Sequence, residues 1–297
     1  MDGKVAVITG GTSGIGAAAA RLFAAEGATV VLTGRRKDAG ERLTAELSVM
    51  AAEGAAAEFV RADASAEADV QTMIGHVVDR FGRLDCLVNN AGVGGTPGGV
   101  ATVDMDRFWS TLAVNLGGVV LGMKHAAPVM TQQGSGSIIN VASIGGQFAG
   151  WSMLDYSAAK AAVIHLTRWA ATELGEHGVR VNSVSPGPVV TGLFAKGAGI
   201  DPAEADQTAA VLEPVFAERL SSWQPIRRAG VSADVAPALV WLASDAAAFV
   251  TGQDLSVDGG ITAGRPASVS AADRAAIAGA ITRATFKVPG NGGPEDA

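Results

Sequence analysis

The sequence contains almost no cysteine or tyrosine: Cys86 and Tyr156 are the only examples among 297 residues. A single cysteine excludes an internal disulfide, and nothing points to an oxidising compartment. Cys86 lies within the apolar run 84–88, which is typical of a core strand. We therefore interpret it as a small buried side chain rather than a reactive thiol.

Charge is also scarce, because charged residues make up 17% of the chain, hydrophobic residues 48%, and the net charge is -7. This composition predicts a large buried core and argues against a disordered protein. An acidic surface repels phosphate backbones and anionic headgroups. Nucleic acid and membrane are therefore not expected as main partners.

The sequence has no run of 18 consecutive apolar residues, so no membrane span is predicted. Residues 1–4 lead directly into an apolar strand without the basic region or cleavage site of a signal peptide, and we expect a cytoplasmic protein. The histidines are scattered over predicted helices without a carboxylate or thiol at ligand spacing, which predicts no metal site. They are His76, His125, His165 and His177.

Apolar, β-rich runs alternate with helical patterns along most of the chain. We predict strands over residues 5–9, 29–33, 57–61, 84–89, 137–141, 180–185 and 255–257, and helices over 14–25, 36–52, 106–130, 156–176 and 232–242. A further helix follows Ser65, which resembles an N-cap, with Glu67 and Asp69 in its first turn. The alternation predicts a doubly wound, Rossmann-like parallel sheet in a three-layer α/β/α single domain, with its ligand beyond the carboxyl ends of the strands.

Two stretches depart from this alternation. Residues 191–228 are long and mixed in character, which is typical of a substrate lid, and we include them in one domain spanning residues 1–264. Residues 265–297 form a C-terminal extension, in which Ser270 and Asp273 resemble the capping box of a short helix. The glycine-rich stretch 288–293 is expected to be mobile.

A glycine-rich loop joins the first predicted strand to the first helix, with the sequence Thr9-Gly10-Gly11-Thr12-Ser13-Gly14-Ile15-Gly16. Glycines permit a tight turn and let the backbone approach a pyrophosphate, while the helix N-terminus offers free N–H groups. Between a strand and a helix, this loop indicates a dinucleotide site more strongly than a lone glycine string would.

The end of the second strand bears on the choice of cofactor. An acid there would bind both ribose hydroxyls and select NAD, but the sequence has Gly34, which leaves space, followed by Arg35 and Arg36. A guanidinium suits a bidentate phosphate contact, so NADP(H) is predicted, with NAD(H) as the alternative. We interpret the next cation, Lys37, as a solvated side chain. Ser13 adds no second cation in the first loop.

Tyr156 and Lys160 are four residues apart on a predicted helix and therefore share one face. A phenol has a pKa near 10, and a nearby ammonium favours the phenolate, so the pair is suited to acid/base chemistry. Ser143, at the end of the fifth strand, is placed to hydrogen-bond the same substrate oxygen. A tyrosine and a lysine at this spacing are common by chance, but this is the one tyrosine of the chain.

Five motifs in order resemble the short-chain dehydrogenase/reductase family over roughly residues 4–264. They are the glycine-rich loop, Asp63 after the third strand, Asn89-Asn90-Ala91-Gly92, the set of Ser143 with Tyr156 and Lys160, and Pro186-Gly187 with Thr191. The coincidence of five motifs is far more specific than any one of them.

The resemblance implies a role for each matching residue. Tyr156 would be the acid or base, Ser143 would hold the substrate oxygen, Lys160 would lower the tyrosine pKa and bind the nicotinamide ribose, and Asn115 would hold a water in a proton relay. For Asn89 we favour a purely structural interpretation, in which its side chain ties strands together. The predicted cofactor-binding residues are Gly10, Thr12, Ser13, Gly14, Ile15, Gly16, Arg35, Arg36, Asp63, Ala64, Asn90, Ala91, Gly92, Tyr156, Lys160, Pro186, Gly187, Val189 and Thr191.

These features predict an oxidoreductase that moves hydride between NADP(H) and a ketone or secondary alcohol. The predicted substrate envelope is mostly apolar, which favours a hydrophobic small molecule; it includes Phe148, Trp151, Met153, Leu154, Leu193 and Phe194. Arg227 and Arg228 fit two interpretations equally well, contacts to a substrate anion or surface charges that flank a helix. Alternatives are a β-ketoacyl reductase or dihydrodiol dehydrogenase of the same fold, and a non-catalytic cofactor sensor. The resemblance also implies a homotetramer.

Overall fold

A computed structural model describes residues 1–50, 55–197, 200–220 and 223–285. These residues contain one sheet of seven strands, β1 (Val5–Ile8), β2 (Thr29–Gly34), β3 (Ala57–Arg61), β4 (Cys86–Asn89), β5 (Gly136–Val141), β6 (Val179–Pro186) and β7 (Asp254–Val257). Their order is β3-β2-β1-β4-β5-β6-β7, and every neighbouring pair is parallel. The predicted doubly wound sheet is confirmed.

The described residues also form twelve α-helices. They are α1 (Gly14–Ala25), α2 (Lys37–Met50), α3 (Glu67–Phe81), α4 (Met105–Leu112), α5 (Gly118–Gln133), α6 (Ile144–Gln147), α7 (Leu154–Leu174), α8 (Leu193–Gly197), α9 (Pro202–Ala205), α10 (Ala209–Leu220), α11 (Ser232–Ala243) and α12 (Ala267–Thr285). One core combines α1, α2 and α11 on one face, and a second combines α3, α5 and α7 on the other. Because both faces are buried, central strands such as β1 are apolar at every position.

The direction of winding reverses between β1 and β4, which are neighbours although three helices and two strands separate them in sequence. Just beyond their ends, the Thr9 hydroxyl oxygen accepts hydrogen bonds from the backbone N–H groups of Asn90 and Ala91, both at 3.0 Å. In open α/β sheets the crevice at such a reversal holds the ligand. The glycine-rich loop lies at this reversal.

The long helix predicted over residues 106–130 is a helical run from Met105 to Gln133, in which a π-helical turn, Ala113–Gly117, separates α4 from α5. By length and composition alone this run could cross a membrane. Here α5 packs beside β4, β5 and α3. The buried part of its apolar pattern, which includes Val119, Met123 and Met130, is therefore explained by packing in the core.

Two predicted helix starts are wrong. Helix α3 begins at Glu67 with Ala66 as its N-cap residue, and Ser65 instead donates from its N–H (2.9 Å) and its hydroxyl (2.7 Å) to the Asp63 carboxylate. Helix α12 begins at Ala267 rather than Ser270, and Asp273 pairs with Arg265 at 2.7 Å. Residues 288–293 lie outside the described residues.

The predicted lid contains α8, α9 and α10. A small apolar cluster, which includes Val190, Leu220, Ala229 and Ile261, joins it to the segment after β7 and to α6 through Ile144. The assignment of residues 1–264 to one domain, of 191–228 to a lid, and of 265–297 to an extension remains a prediction.

Candidate active site

The glycine-rich loop provides backbone donors at the start of α1. Ser13 is the N-cap residue but makes no side-chain capping bond, and the first turn contains no acid. The N–H groups of this turn therefore keep their capacity to bind an anion. Gly10 has a φ of +62°, and a Cβ there would lie 2.8 Å from the Cα of Ala91; a Cβ on Gly16 would lie 2.4 Å from the Gly10 carbonyl oxygen. Only glycine fits these positions, and the loop suits a pyrophosphate.

The other predicted residues of this loop have separate surroundings. Ile15 packs against the core of α1 and α11. Thr12 faces the end of β2, since a Cβ on Gly34 would lie 3.2 Å from its Cγ2. The expected open space at Gly34 is therefore bordered by Thr12. On the opposite side, Thr191 lies against the loop, with its Cγ2 3.4 Å from a Cβ placed on Gly14.

The end of β2 carries the predicted 2′-phosphate contacts. The side chain of Arg35 is 65% exposed, with Nη1 3.9 Å from Asp63 Oδ2. Arg36 turns toward the lid and donates from Nη2 to Asp206 Oδ2 at 2.6 Å. Ala64 packs instead against α5, where a Cβ on Gly118 would lie 3.0 Å from its carbonyl oxygen. Arg35 and Asp63 thus lie together just beyond the ends of β2 and β3, and we call this place the cofactor edge. Arg36 links the cofactor edge to the lid.

The segment after β4 braces the loop. The Asn90 side chain donates to the carbonyl oxygens of Thr9 (2.9 Å) and Gly10 (3.2 Å), so its amide supports the loop directly. Asn89 donates to Asn140 Oδ1 at 2.9 Å and so ties β4 to β5. Gly92 lies closer to the catalytic residues, because a Cβ there would be 3.2 Å from Asn115 Oδ1 and 4.0 Å from Lys160 Nζ.

The predicted catalytic residues converge at the carboxyl end of β5. Tyr156 is in the first turn of α7, and Lys160 Nζ lies 5.6 Å from the centroid of its ring. Ser143, the N-cap of α6, accepts a hydrogen bond from the Gly145 N–H at 3.1 Å, and its side chain interacts with that of Tyr156. Lys160 is 3% exposed and donates to the Val141 carbonyl oxygen at 2.6 Å.

Burial sets the acid strength of these groups. It raises the pKa of Tyr156, and the hydrogen bond from Ser143 opposes this only in part. Burial also lowers the pKa of Lys160 to about 8. The net direction of the Tyr156 pKa is therefore up, and a lowering of this pKa by the lysine remains a prediction.

Asn115 lies in the π-helical turn and is fully buried. Its Oδ1 accepts from the Val93 N–H at 2.8 Å, and its Nδ2 donates to the Val93 carbonyl oxygen at 2.9 Å. Both ends of the amide therefore hold the segment after β4 beside Lys160. Its part in a proton relay remains a prediction, although π turns often occur at functional sites.

The remaining predicted residues follow β6. Pro186 ends the strand, and a Cβ on Gly187 would lie 2.7 Å from the Cα of Asp258, so glycine allows close contact with the segment after β7. Val189 pairs with Gly230 in an isolated parallel bridge. Among these residues, Thr191 reaches the glycine-rich loop.

Comparisons with known proteins agree with this geometry. A family model described as Enoyl-(Acyl carrier protein) reductase matches residues 10–262. The chain is 42% identical to momilactone A synthase of Oryza sativa subsp. japonica, over 88% of this chain and 91% of that protein. It is 39% identical to 2,5-dichloro-2,5-cyclohexadiene-1,4-diol dehydrogenase of Sphingobium indicum, over 89% and 98% of the two chains. The chain belongs to the short-chain dehydrogenase/reductase family.

A solved short-chain dehydrogenase/reductase structure confirms the fold. The crystal structure of levodione reductase matches with a TM-score of 0.78 and 33% identity, covering 89% of this chain and 99% of that one. Members of the family are oxidoreductases that use NAD(P)(H) and act on alcohols and ketones. The glycine-rich loop and the uncapped start of α1 fit such a dinucleotide.

Sequence reasoning missed one residue of this short-chain dehydrogenase/reductase site. Asp155 is 2% exposed and accepts hydrogen bonds from Thr111 Oγ1 (2.8 Å), the Thr96 N–H (3.0 Å) and the Tyr156 N–H (2.8 Å). Burial raises its pKa, but these hydrogen bonds outweigh burial and the net direction is down. An ionised Asp155 thus fixes the segment after β4 against Tyr156. An acid in the first turn of a helix, directly before Tyr156, was the available signal.

Other polar residues have structural partners in this enzyme fold. Arg228 forms a two-pronged ion pair with Asp234 at the start of α11, with both bonds at 2.6 Å, and Arg227 donates to Ser268 Oγ at 2.5 Å. Burial raises the pKa of the Cys86 thiol to about 12, so it is not a nucleophile. The described residues contain no cluster of three or more potential metal ligands.

Proposed function

We propose that this protein is an NADP(H)-dependent oxidoreductase that interconverts a hydrophobic ketone and its secondary alcohol. The supporting observation is that Ser143, Tyr156 and the buried Lys160 lie together at the same sheet edge as the glycine-rich loop. Carboxyl ends of parallel strands meet at one edge, so a nicotinamide and a carbonyl can share this crevice.

The chemistry is assigned to the chain's own residues. The bound nicotinamide supplies or accepts the hydride. The Tyr156 hydroxyl donates a proton to the carbonyl oxygen during reduction and takes it back during oxidation, while Ser143 hydrogen-bonds that oxygen. A raised tyrosine pKa keeps the phenol protonated at neutral pH, which is the form that reduction requires. Lys160 orients the ribose and places positive charge beside the phenol.

Preference for NADP(H) over NAD(H) is proposed from the end of β2. No acid stands there to bind ribose hydroxyls, and Arg35 is exposed and able to meet a phosphate. Asp63, 3.9 Å from Arg35, keeps the guanidinium at the cofactor edge.

A hydrophobic substrate is proposed from the side chains around the crevice. Phe148, Trp151 and Met153 are partly exposed on the segment that precedes Tyr156. Trp223, at the end of the lid, packs edge-to-face on Trp151 with ring centroids 5.7 Å apart. Aromatic side chains with exposed faces favour apolar ring systems over free sugars or charged acids.

The test is titration of the purified protein with NADPH and NADH by fluorescence, followed by turnover of a ketone panel at 340 nm. Tyr156→Phe removes only the hydroxyl, so we expect turnover to fall by about 10³-fold while NADPH binding is kept. Full turnover by this variant would refute the assignment of Tyr156. Tight binding without turnover of any substrate would instead favour the cofactor sensor.

One alternative has an observation in its favour. The 39% identity to a cyclohexadiene-diol dehydrogenase supports oxidation of a dihydrodiol by the same residues. Adding cyclic diols with NADP⁺ and NAD⁺ to the panel separates the two. A β-ketoacyl reductase would need a basic patch for an acyl carrier, which the net charge of -7 does not favour.

We also propose a homotetramer in the cytoplasm. Trp109 on α4, Val120 on α5 and Trp169 on α7 are exposed apolar side chains on the helices expected to meet between subunits. Light scattering after size exclusion tests the assembly, and cell fractionation tests the location.

A further inference from the structure

Three charged side chains connect the lid to the cofactor edge, and we call them the lid cluster: Arg36, Lys196 and Asp206. Arg36 Nη2 donates to one oxygen of the Asp206 carboxylate at 2.6 Å, and Lys196 Nζ donates to the other at 2.8 Å. Lys196 Nζ also lies 3.4 Å from Ser13 Oγ, the N-cap of α1. A cation from α8 thus stands directly beside the glycine-rich loop.

This position matters because the loop itself has no cation. Lys196 supplies from the lid the positive charge that Ser13 does not provide. Two cations share one carboxylate, so the lid cluster has a net charge of +1 in a chain whose net charge is -7. Arg35 lies next to Arg36 in sequence and adds a further exposed guanidinium.

The shared carboxylate resembles a phosphate in its contacts. Asp206 presents two oxygens, each to a different cation. Burial raises the pKa of Asp206, but the hydrogen bonds from Lys196 and Arg36 outweigh burial and keep the carboxyl ionised. A phosphomonoester has three terminal oxygens and a charge of about -1.5 to -2, so it would satisfy the same donors more fully.

We propose that Asp206 occupies the place of the 2′-phosphate of NADP(H), and that the lid residue Lys196 joins the already predicted Arg36 as a specificity-determining contact to that phosphate. This inference rests on the proposed use of NADP(H). The 2′-phosphate displaces the carboxylate, and the lid residue Lys196 becomes part of the cofactor site. Without the cofactor, Asp206 holds the segment after α9 to both Arg36 and Lys196. With the cofactor bound, the 2′-phosphate takes over these contacts, so cofactor binding and lid position are coupled.

The test measures binding of two adenosine phosphates to the full-length protein by calorimetry. Adenosine 2′,5′-bisphosphate carries the 2′-phosphate, and adenosine 5′-monophosphate lacks it. Lys196→Met should lower the affinity for the bisphosphate by at least about tenfold, as expected for the loss of a charge-assisted hydrogen bond. Its affinity for the monophosphate should not change. Lys196→Arg should restore most of the lost affinity.

The Asp206 variant gives the sharper result. Asp206→Asn removes the competing charge, so it should tighten bisphosphate binding several-fold and leave the monophosphate unchanged. Weaker or unchanged bisphosphate binding by Asp206→Asn would overturn the inference. An unchanged ratio of bisphosphate to monophosphate affinity in Lys196→Met would also overturn it. Lys37→Met is the matched control, since Lys37 is 68% exposed at the same end of the sheet and should alter neither ligand.

Failure of the inference can be distinguished from failure of the proposed function. If the wild-type protein binds both ligands equally, the proposed NADP(H) preference is wrong. If the wild type prefers the bisphosphate and Arg35→Met reduces that preference, but the Lys196 and Asp206 variants do not change it, the preference stands and this inference is wrong.

Discussion

Burial of the Lys160 ammonium should lower the free energy of unfolding of the protein at neutral pH. Burial lowers the pKa of Lys160 from 10.5 to about 8, and the side chain is 3% exposed. One pKa unit corresponds to about 1.4 kcal/mol, so charged Lys160 costs about 3 kcal/mol of the free energy of unfolding at pH 7. Lys160→Met keeps the length of the side chain and removes this cost.

The pH dependence has a defined sign. Below pH 8 the lysine is protonated in both the folded and unfolded states, and the full cost is present. Between pH 8 and 10.5 the unfolded state binds more protons, so the stability of the wild type rises with pH. Above that range both states are neutral and the cost is gone.

The variant should therefore exceed the wild type by about 2 kcal/mol at pH 7, because the lost hydrogen bond to Val141 offsets about 1 kcal/mol of the gain. Well above pH 10.5 the order should reverse by about 1 kcal/mol. Urea unfolding of both proteins at pH 7, 8, 9 and 10 measures the difference, with the exposed Lys37→Met as control. A difference that does not change between pH 8 and 10 would refute the argument.

Three other predictions concern positioning, the lid and the tail. Asp155→Asn should lower kcat about tenfold and destabilise the protein by about 1–3 kcal/mol, since it weakens the bonds to Thr96 and Thr111; unchanged kinetics would contradict its positioning role. Trp223→Leu should raise KM for bulky ketones several-fold and leave small ones unaffected, and equal effects on both would argue against a substrate contact. Removal of residues 265–297, which include the 61% exposed Ile277 and Ile281 on α12, should alter assembly as measured by light scattering; an unchanged mass and activity would exclude a role at a subunit interface.

Features that depend on neighbours in sequence were predictable. The glycine-rich loop requires glycine at Gly10 and Gly16 for reasons of backbone geometry, and the strand and helix on either side show their own periodicity. Tyr156 and Lys160 share a helix face because they are four residues apart. The parallel sheet follows from alternation of strands and helices.

Features that depend on burial or distant contacts were not predictable. The π turn at Asn115 leaves the apolar pattern of the long helix intact, so the pattern gives no sign of it. The direction of the Tyr156 pKa shift depends on desolvation, which a sequence does not display. Arg36 meets Asp206 across 170 residues, between two segments without shared periodicity. Ser65 instead turns back onto the Asp63 carboxylate two residues earlier, a local contact that the capping pattern does not display.

The adjacency of β1 and β4 has a consequence for synthesis of the protein on the ribosome. A nascent chain that has emerged only as far as α3 contains the whole glycine-rich loop but lacks Asn90 and Ala91, which brace Thr9 from 81 and 82 residues away. The ribosome adds roughly 5–20 residues per second, and the N-terminal part of a chain emerges first. The residues that would bind the dinucleotide are thus made first, yet we expect them to gain affinity only after β4 has joined the sheet. The cofactor would therefore bind only late in folding, and its binding would then raise the free energy of unfolding by mass action.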